Sequence, residues 1–168
     1  MVYENIVLIG FMGSGKTSVG KALSRKLLKD FVDVDTVIEK EHGSTITEIF
    51  EQKGEAYFRD LEQKCIDELA KKKGQIIATG GGLPIYSKIP EKSLIINIDA
   101  DFDVIMNRIS DRERQKRPLL QDEERARALY DERIDRYRAL ADFSVDANQE
   151  IPVFIHMIVD YVLNKRVL

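Results

Sequence analysis

The sequence predicts a three-layer α/β fold built on one parallel β-sheet, and three observations support this prediction. Short apolar segments typical of strands recur along the chain, and amphipathic segments of helical length separate them. The apolar segments do not alternate with polar residues, which is typical of strands covered by helices on both faces. No repeat or linker divides the 168 residues, so a single domain spanning residues 1–168 is expected.

The predicted elements alternate along the chain. Strands are predicted, in order, at residues 5–9, 31–35, 75–79, 94–98 and 143–145. A helix follows the first strand and ends near residue 28, and further helices are predicted at about 46–53, 55–73, 101–109, 123–141 and 152–164. Residues 111–117 (DRERQKR) are so polar that composition alone indicates a solvated surface loop.

Composition and charge argue against several functional classes. Hydrophobic residues make up 43% and charged residues 33%, as in globular rather than disordered proteins. The net charge of −3 provides no basic field for nucleic acid. No signal peptide is evident, no apolar run approaches the ~20 residues of a membrane span, and the single cysteine, Cys65, agrees with a reducing compartment. We therefore expect a cytoplasmic protein without nucleic-acid or membrane partners.

The strongest motif is a phosphate-binding loop. Residues 10–17 (GFMGSGKT) match G-x-x-x-x-G-K-[ST] at every fixed position, with a predicted strand before the loop and a helix after it. The glycines let backbone N–H groups turn towards phosphates, and the helix N-terminus adds a positive dipole end. Lys16 is predicted to neutralise phosphate charge and Thr17 to offer its hydroxyl to Mg²⁺; an ordinary glycine-rich turn is the alternative. The residues of this loop predicted to bind ATP are Gly13, Ser14, Gly15, Lys16, Thr17 and Ser18.

Asp33 and Asp35 close the second predicted strand at positions i and i+2. Because side chains alternate across a strand, both carboxylates are predicted to point the same way. Such neighbouring like charges are unfavourable unless a cation or a hydroxyl donor binds there. We predict that Asp33 helps to hold Mg²⁺ and that Asp35 accepts a hydrogen bond from the reacting hydroxyl and acts as its base. The alternative is that they cap a helix starting near residue 36.

Two further features suggest a bound substrate. Three glycines at 80–82 follow the third strand, where a typical phosphate-loop enzyme has an aspartate. This run predicts close approach of the backbone to a substrate, with a plain loop as the alternative. In the helix predicted at 123–141, Arg133 falls near the middle of an apolar stripe. A buried arginine needs a partner, either a substrate carboxylate or an internal acidic residue.

The segments GFMGSGKT, DVD, FRDLE, ATGGG and RPLL, in this order and spacing, resemble the shikimate kinase family. The resemblance runs from residue 6 to about 152 and implies a P-loop kinase fold with a five-stranded parallel sheet of order 2-3-1-4-5. It implies a substrate-binding region at about 36–60 and a mobile lid at about 110–121. The implied reaction transfers the γ-phosphoryl group of ATP, with Mg²⁺, to the 3-hydroxyl of shikimate in aromatic amino acid biosynthesis.

The same resemblance implies roles for individual residues. Arg59 looks like the anchor of the shikimate carboxylate, with Glu62 orienting it. Arg117 looks like the lid arginine that closes over the ATP phosphates, while Arg112, Arg114 and Lys116 are expected to be solvent-exposed charges. The residues implied to flank the adenine are Arg108 and Pro152. Those implied to bind shikimate are Asp35, Arg59, Gly81, Gly82 and Arg133, and those implied to act in catalysis are Lys16, Asp35 and Arg117.

Two other functions are compatible with the phosphate loop alone. One is another small-molecule kinase, acting on gluconate or a nucleoside monophosphate; such kinases are not expected to combine DVD, FRDLE and TGGG. The other is a non-catalytic module that uses ATP as a switch, which would not need the charges of an acceptor site. A monomer is expected.

Overall fold

The computed structural model describes all 168 residues and contains a single five-stranded sheet. The strands are β1 (Asn5–Ile9), β2 (Asp30–Asp33), β3 (Gln75–Ala78), β4 (Ser93–Asp99) and β5 (Phe143–Asp146). Their order is β2-β3-β1-β4-β5, and every neighbouring pair is parallel. The predicted fold class and strand order are therefore confirmed.

Nine α-helices and one 3₁₀ helix connect and cover the strands. They are α1 (Lys16–Leu27), α2 (Val34–His42), α3 (Ile46–Lys53), α4 (Glu55–Ala70), α5 (Leu83–Tyr86), α6 (Phe102–Arg108), α7 (Asp111–Lys116), the 3₁₀ helix (Pro118–Leu120), α8 (Glu123–Leu140) and α9 (Ile151–Leu163). Six of the nine match predicted helices, α2 corresponds to the helix considered only as an alternative, and α5 and α7 were not predicted. None of these helices combines the length and apolarity needed to cross a bilayer.

The central strands form the core, as their unbroken apolar sequences indicate. Every residue of β1 and β3 is buried, and Leu8 of β1 lies opposite Ala78 on one side and Ile96 on the other. The carboxyl ends of parallel strands meet at one edge of the sheet. The phosphate loop after β1, the start of α2 after β2 and the glycines after β3 consequently meet there.

The second strand ends two residues earlier than predicted, and this changes the position of Asp35. Asp33 is the N-cap of α2, with an Oδ1 that accepts a 3.2 Å hydrogen bond from the N–H of Thr36. Asp35 therefore lies in the first turn of this helix. The prediction of two aspartates on one strand face is wrong, and for Asp33 the capping alternative is correct.

The composition of residues 111–117 indicates a surface loop, but residues 111–116 form helix α7 in the structure. Helix α7 begins with a capping box in which the side chains of Ser110 and Glu113 each bond the other residue's N–H. Leu120 in the following 3₁₀ helix is buried in the core. Arg114, expected to be a solvent charge, is partly buried and donates a 2.8 Å hydrogen bond to the carbonyl of Met106. The expectation for Arg114 is therefore wrong.

Candidate active site

The phosphate loop has the conformation that its glycines predict. Gly13 and Gly15 have φ angles of 78° and 104°, in the left-handed region that favours glycine. The Lys16 Nζ donates hydrogen bonds of 2.7 and 2.9 Å to the carbonyls of Gly10 and Phe11. Burial, and secondly the charge of Arg117, lower the pKa of Lys16 to about 7. A phosphate dianion beside this ammonium would restore its charge.

Ser14 in the same loop provides independent evidence for an anionic ligand. Its Oγ is buried and has no hydrogen-bond partner within the chain. A buried hydroxyl without a hydrogen-bond partner is unfavourable, and a bound phosphate oxygen would supply the missing acceptor. The arrangement fits the predicted binding of nucleotide phosphates.

Two oxygen ligands suited to Mg²⁺ lie next to each other beside the phosphate loop. The Thr17 hydroxyl donates a 2.8 Å hydrogen bond to Asp33 Oδ2, while the other oxygen of Asp33 caps α2. Mg²⁺ in kinases is usually held by one or two protein oxygens together with substrate phosphates. This pair fits such a site, as the sequence predicted, even though Asp33 reaches it from a helix cap.

Asp35 is directed to the same edge of the sheet from the first turn of α2. Its Oδ1 is buried and accepts no hydrogen bond. Burial, and secondly the charge of Asp33, raise the pKa of Asp35 to about 6. An acceptor oxygen of this kind can receive a hydrogen bond from a hydroxyl group and remains ionised near neutral pH.

The three glycines after β3 pack against functional side chains. A Cβ atom on Gly80 would lie 3.0 Å from Asp35 Oδ1 and 3.3 Å from Glu62 Oε1, and a Cβ on Gly82 would collide with the Arg59 guanidinium. The carbonyl of Gly81 accepts a 2.6 Å hydrogen bond from the Tyr137 hydroxyl. Residues 80–82 therefore lie close to Asp35 and Glu62 on one side and to Arg59 on the other, and their contact with a substrate stays a prediction.

Arg59 is held by acidic residues of its own helix. Its Nη1 donates a 2.6 Å hydrogen bond to Glu62 and its Nη2 a 3.3 Å bond to Glu55, while its buried Nε has no partner. Glu62 is 1% exposed, and burial raises its pKa to about 7 although Arg59 acts in the opposite direction. The expected orientation of Arg59 by Glu62 is thus present in the structure.

Arg133 lies on the buried face of α8, as the periodicity predicted. It is 5% exposed, whereas Arg136 and Arg138 are exposed. No carboxylate of the chain lies within ion-pair distance of Arg133, and its buried Nε has no partner. The alternative of an internal ion pair is therefore not realised. Such a guanidinium fits an external anion.

A cleft of about 840 Å³ joins the nucleotide residues to Asp35. The predicted residues that line it are Gly13, Ser14, Gly15, Lys16, Thr17, Ser18, Asp33, Asp35, Gly81, Arg108, Arg117 and Pro152. Gly82, Arg59 and Arg133 are not among the lining residues. Arg59 is connected to the cleft through its contact with the glycine backbone.

The residues expected around adenine line the same cleft. Arg108 donates hydrogen bonds of 2.6 and 2.7 Å to the carbonyls of Ala147 and Gln149, which fix its guanidinium. Pro152 lines the same cleft from the first turn of α9. The structure thus places Arg108 and Pro152 at one cavity.

Several residues of the site were missed. Glu39, Glu113 and Lys116 line the cleft, and Lys116 is exposed, as expected, but on the side that faces the cleft. The S-x-x-E pattern that begins at Ser110 could have revealed helix α7 and the common face of Glu113 and Lys116. Tyr86, which contacts both Arg59 and Arg133, has no comparable local signal.

Comparison with known proteins gives consistent matches. A family model described as "Shikimate kinase" matches residues 12–165. The "Shikimate kinase" of Thermodesulfovibrio yellowstonii is 45% identical over 156 residues, covering 89% of this chain and 88% of that protein. The structure of "Shikimate kinase from Acinetobacter baumannii in complex with shikimate" aligns with a TM-score of 0.83 and 31% identity, covering 96% of this chain and 94% of the other.

A more distant match shows the fold alone. A gluconokinase from Sinorhizobium meliloti aligns with a TM-score of 0.61 at 15% identity, covering 96% of this chain and 92% of the other. The architecture is therefore shared by kinases of different specificity. The fold by itself therefore does not identify the acceptor.

Proposed function

The chain belongs to the shikimate kinase family, and we propose that it transfers the γ-phosphoryl group of ATP to the 3-hydroxyl of shikimate. The products would be ADP and 3-phosphoshikimate, in the route to chorismate and the aromatic amino acids. The observation that carries this proposal is the single cleft in which Asp35 and Gly81 lie together with the phosphate loop. A phosphoryl donor and a hydroxyl acceptor bound in that cleft would be adjacent.

At the donor end, Lys16 and Arg117 would neutralise charge on the transferred phosphoryl group. Both residues line the cleft, and the charge of Arg117 is close enough to lower the pKa of Lys16. Thr17 and Asp33 would hold Mg²⁺, which supplies further neutralisation of phosphate charge when bound. Arg108 and Pro152 would flank the adenine.

At the acceptor end, Asp35 would orient the 3-hydroxyl and take its proton as the oxygen–phosphorus bond forms. Because phosphoryl transfer has a loose transition state, this orientation would contribute more than early deprotonation. Arg59 and Arg133 would bind the carboxylate, which is supported by the unpartnered Nε atoms of both guanidiniums. Gly81 and Gly82 would contact the ring through their backbone.

We propose that two further segments complete this site. Residues 36–60 would form the substrate-binding region, and residues 110–121, with α7 and the 3₁₀ helix, would form a lid that excludes water. Support for the lid comes from Glu113, Lys116 and Arg117, which line the cleft although α7 buries none of its residues. Closure would protect ATP from hydrolysis.

An ADP-release assay with shikimate, gluconate and nucleoside monophosphates tests the proposed function. We expect Mg²⁺-dependent turnover with shikimate, and none with shikimate after Lys16→Met. Turnover restricted to gluconate or a nucleotide would replace the proposal with another small-molecule kinase. ATP binding without turnover on any acceptor would indicate the switch module.

The monomeric state and the cytoplasmic location stay predictions. Light scattering after gel filtration would test the first, for which a mass of 19.3 kDa is expected. Cell fractionation would test the second. Either result leaves the proposed reaction unchanged.

A further inference from the structure

The two arginines proposed to hold the carboxylate converge on one aromatic ring. The Cζ of Arg59 lies 4.4 Å from the centroid of the Tyr86 ring, and that of Arg133 lies 5.7 Å from it. Both distances are within the roughly 6 Å over which a ring face attracts a cation. Tyr86 therefore connects a residue of α4 to a residue of α8.

The Tyr86 ring is an important contact of Arg133 because no carboxylate of the chain is paired with this guanidinium. Arg133 is almost fully buried and has no ion pair within the chain. For Arg59 the Tyr86 ring is the nearest of three, because those of Phe50 and Phe58 lie 5.7 and 5.3 Å away. Two guanidiniums near the same ring repel each other, and the attraction of each to that ring offsets part of the repulsion.

Tyr86 is itself positioned by the glycine segment. It ends helix α5, and its N–H donates a 3.1 Å hydrogen bond to the carbonyl of Gly82. Leu83 and Pro84 of the same short helix are buried and anchor it. The ring is nevertheless 51% exposed, so its contribution to the core is small. Its hydroxyl forms no hydrogen bond within the chain, which leaves the ring face as the group in contact with the arginines.

Given the proposed function, we propose that Tyr86 is a positioning residue for carboxylate recognition. Its ring holds the guanidiniums of Arg59 and Arg133 at the separation and orientation in which both bind one carboxylate of the acceptor. It also shields them from water on the exposed side, which strengthens their attraction for an anion. Tyr86 does not line the cleft that contains the phosphate loop and Asp35, so it acts on acceptor binding and not on phosphoryl transfer.

Steady-state kinetics of Tyr86→Phe, Tyr86→Leu and Tyr86→Met test this role. Loss of the ring should raise the KM for shikimate about three- to tenfold in the Leu and Met variants, with kcat and the KM for ATP within about twofold of wild type. The Phe variant should match wild type. Tyr161→Leu is the matched control and should leave these constants unchanged, because the Tyr161 ring also lies near a cation, 4.9 Å from the Nζ of Lys165, but on α9, outside the cleft and the proposed substrate-binding region.

A second readout separates positioning from a structural effect. Shikimate methyl ester lacks the anionic carboxylate, so its kcat/KM should be the same in wild type and Tyr86→Leu, while kcat/KM for shikimate falls. Unchanged KM values in both ring-deleted variants would overturn the inference, as would an equal rise in Tyr86→Phe or a loss confined to kcat. If wild type itself does not phosphorylate shikimate, the proposed function fails instead.

Discussion

Asp33 is hydrogen-bonded to Thr17 through one carboxylate oxygen and caps helix α2 through the other. One side chain thus connects the helix of the phosphate loop with the helix that carries Asp35. The two contacts depend on different properties. Negative charge strengthens cation binding, whereas capping needs only a hydrogen-bond acceptor.

Asp33→Asn should therefore separate the two roles. Asparagine caps helices about as well as aspartate, so the thermal midpoint should stay within about 2 °C of wild type. Loss of the charge should raise the Mg²⁺ concentration for half-maximal activity by about tenfold or more. Mg²⁺ titration of initial rates provides the measurement. An unchanged Mg²⁺ requirement would remove Asp33 from the metal site.

Asp35 should control the acid side of the pH–rate profile. Its pKa is raised to about 6, chiefly by burial, and only the carboxylate form can accept the proton of the hydroxyl. We expect kcat/KM for shikimate to decline as pH falls through about 6. Asp35→Asn should lower kcat by at least ~100-fold and abolish this dependence. Near-normal turnover of the variant would contradict the proposed base.

Arg133→Met should stabilise the fold and weaken the binding of shikimate. An unpaired buried guanidinium is unfavourable, so an apolar side chain of similar length should raise the free energy of unfolding by about 1 kcal/mol or more. The KM for shikimate should nevertheless rise about 10- to 100-fold, because a charge-assisted contact is lost. Chemical denaturation and steady-state kinetics measure the two effects. A destabilised variant would indicate that the contacts of Arg133 within the chain, such as the one with the Tyr86 ring, outweigh the cost of burying its charge.

Ser110→Ala should loosen the proposed lid without unfolding the protein. Loss of the capping box costs about 1 kcal/mol at the start of α7, whose residues are not buried. Hydrogen exchange should accelerate at the amides of residues 113–117, with little change elsewhere and an unchanged global midpoint. Thr45→Ala, at the capping box of α3, is the matched control. Equal exchange in α7 of both proteins would refute the local effect.

The sheet could be predicted from sequence because its strands are continuous apolar segments, but the end of β2 could not. Asp33 pairs with Ala78, the last residue of β3, and the glycines that follow offer no further strand to pair with. The length of β2 is therefore set by a segment more than 40 residues away in sequence. The alternation of apolar and acidic residues up to Asp35 favours a longer strand, but pairing with β3 stops at Asp33.

The residues of the site also differ in how far the sequence alone could predict them. Arg133 was predictable because one periodic helix carries both the apolar stripe and the arginine. Helix α7 was predictable from its capping box but was obscured by its polar composition. Tyr86 was not predictable, because its contacts with Arg59 and Arg133 arise only when α4, α5 and α8 come together.

The glycine segment after β3 also restricts how this sequence can diverge. A single methyl group on Gly80 would press on the Asp35 carboxylate, and one on Gly82 would displace Arg59. Alanine at either position would thus require a shift of the Asp35 carboxylate or of the Arg59 guanidinium, which are the groups proposed to contact the acceptor. Changes of specificity in this lineage are consequently expected to begin on the surrounding helices, where side chains can be exchanged without moving the backbone.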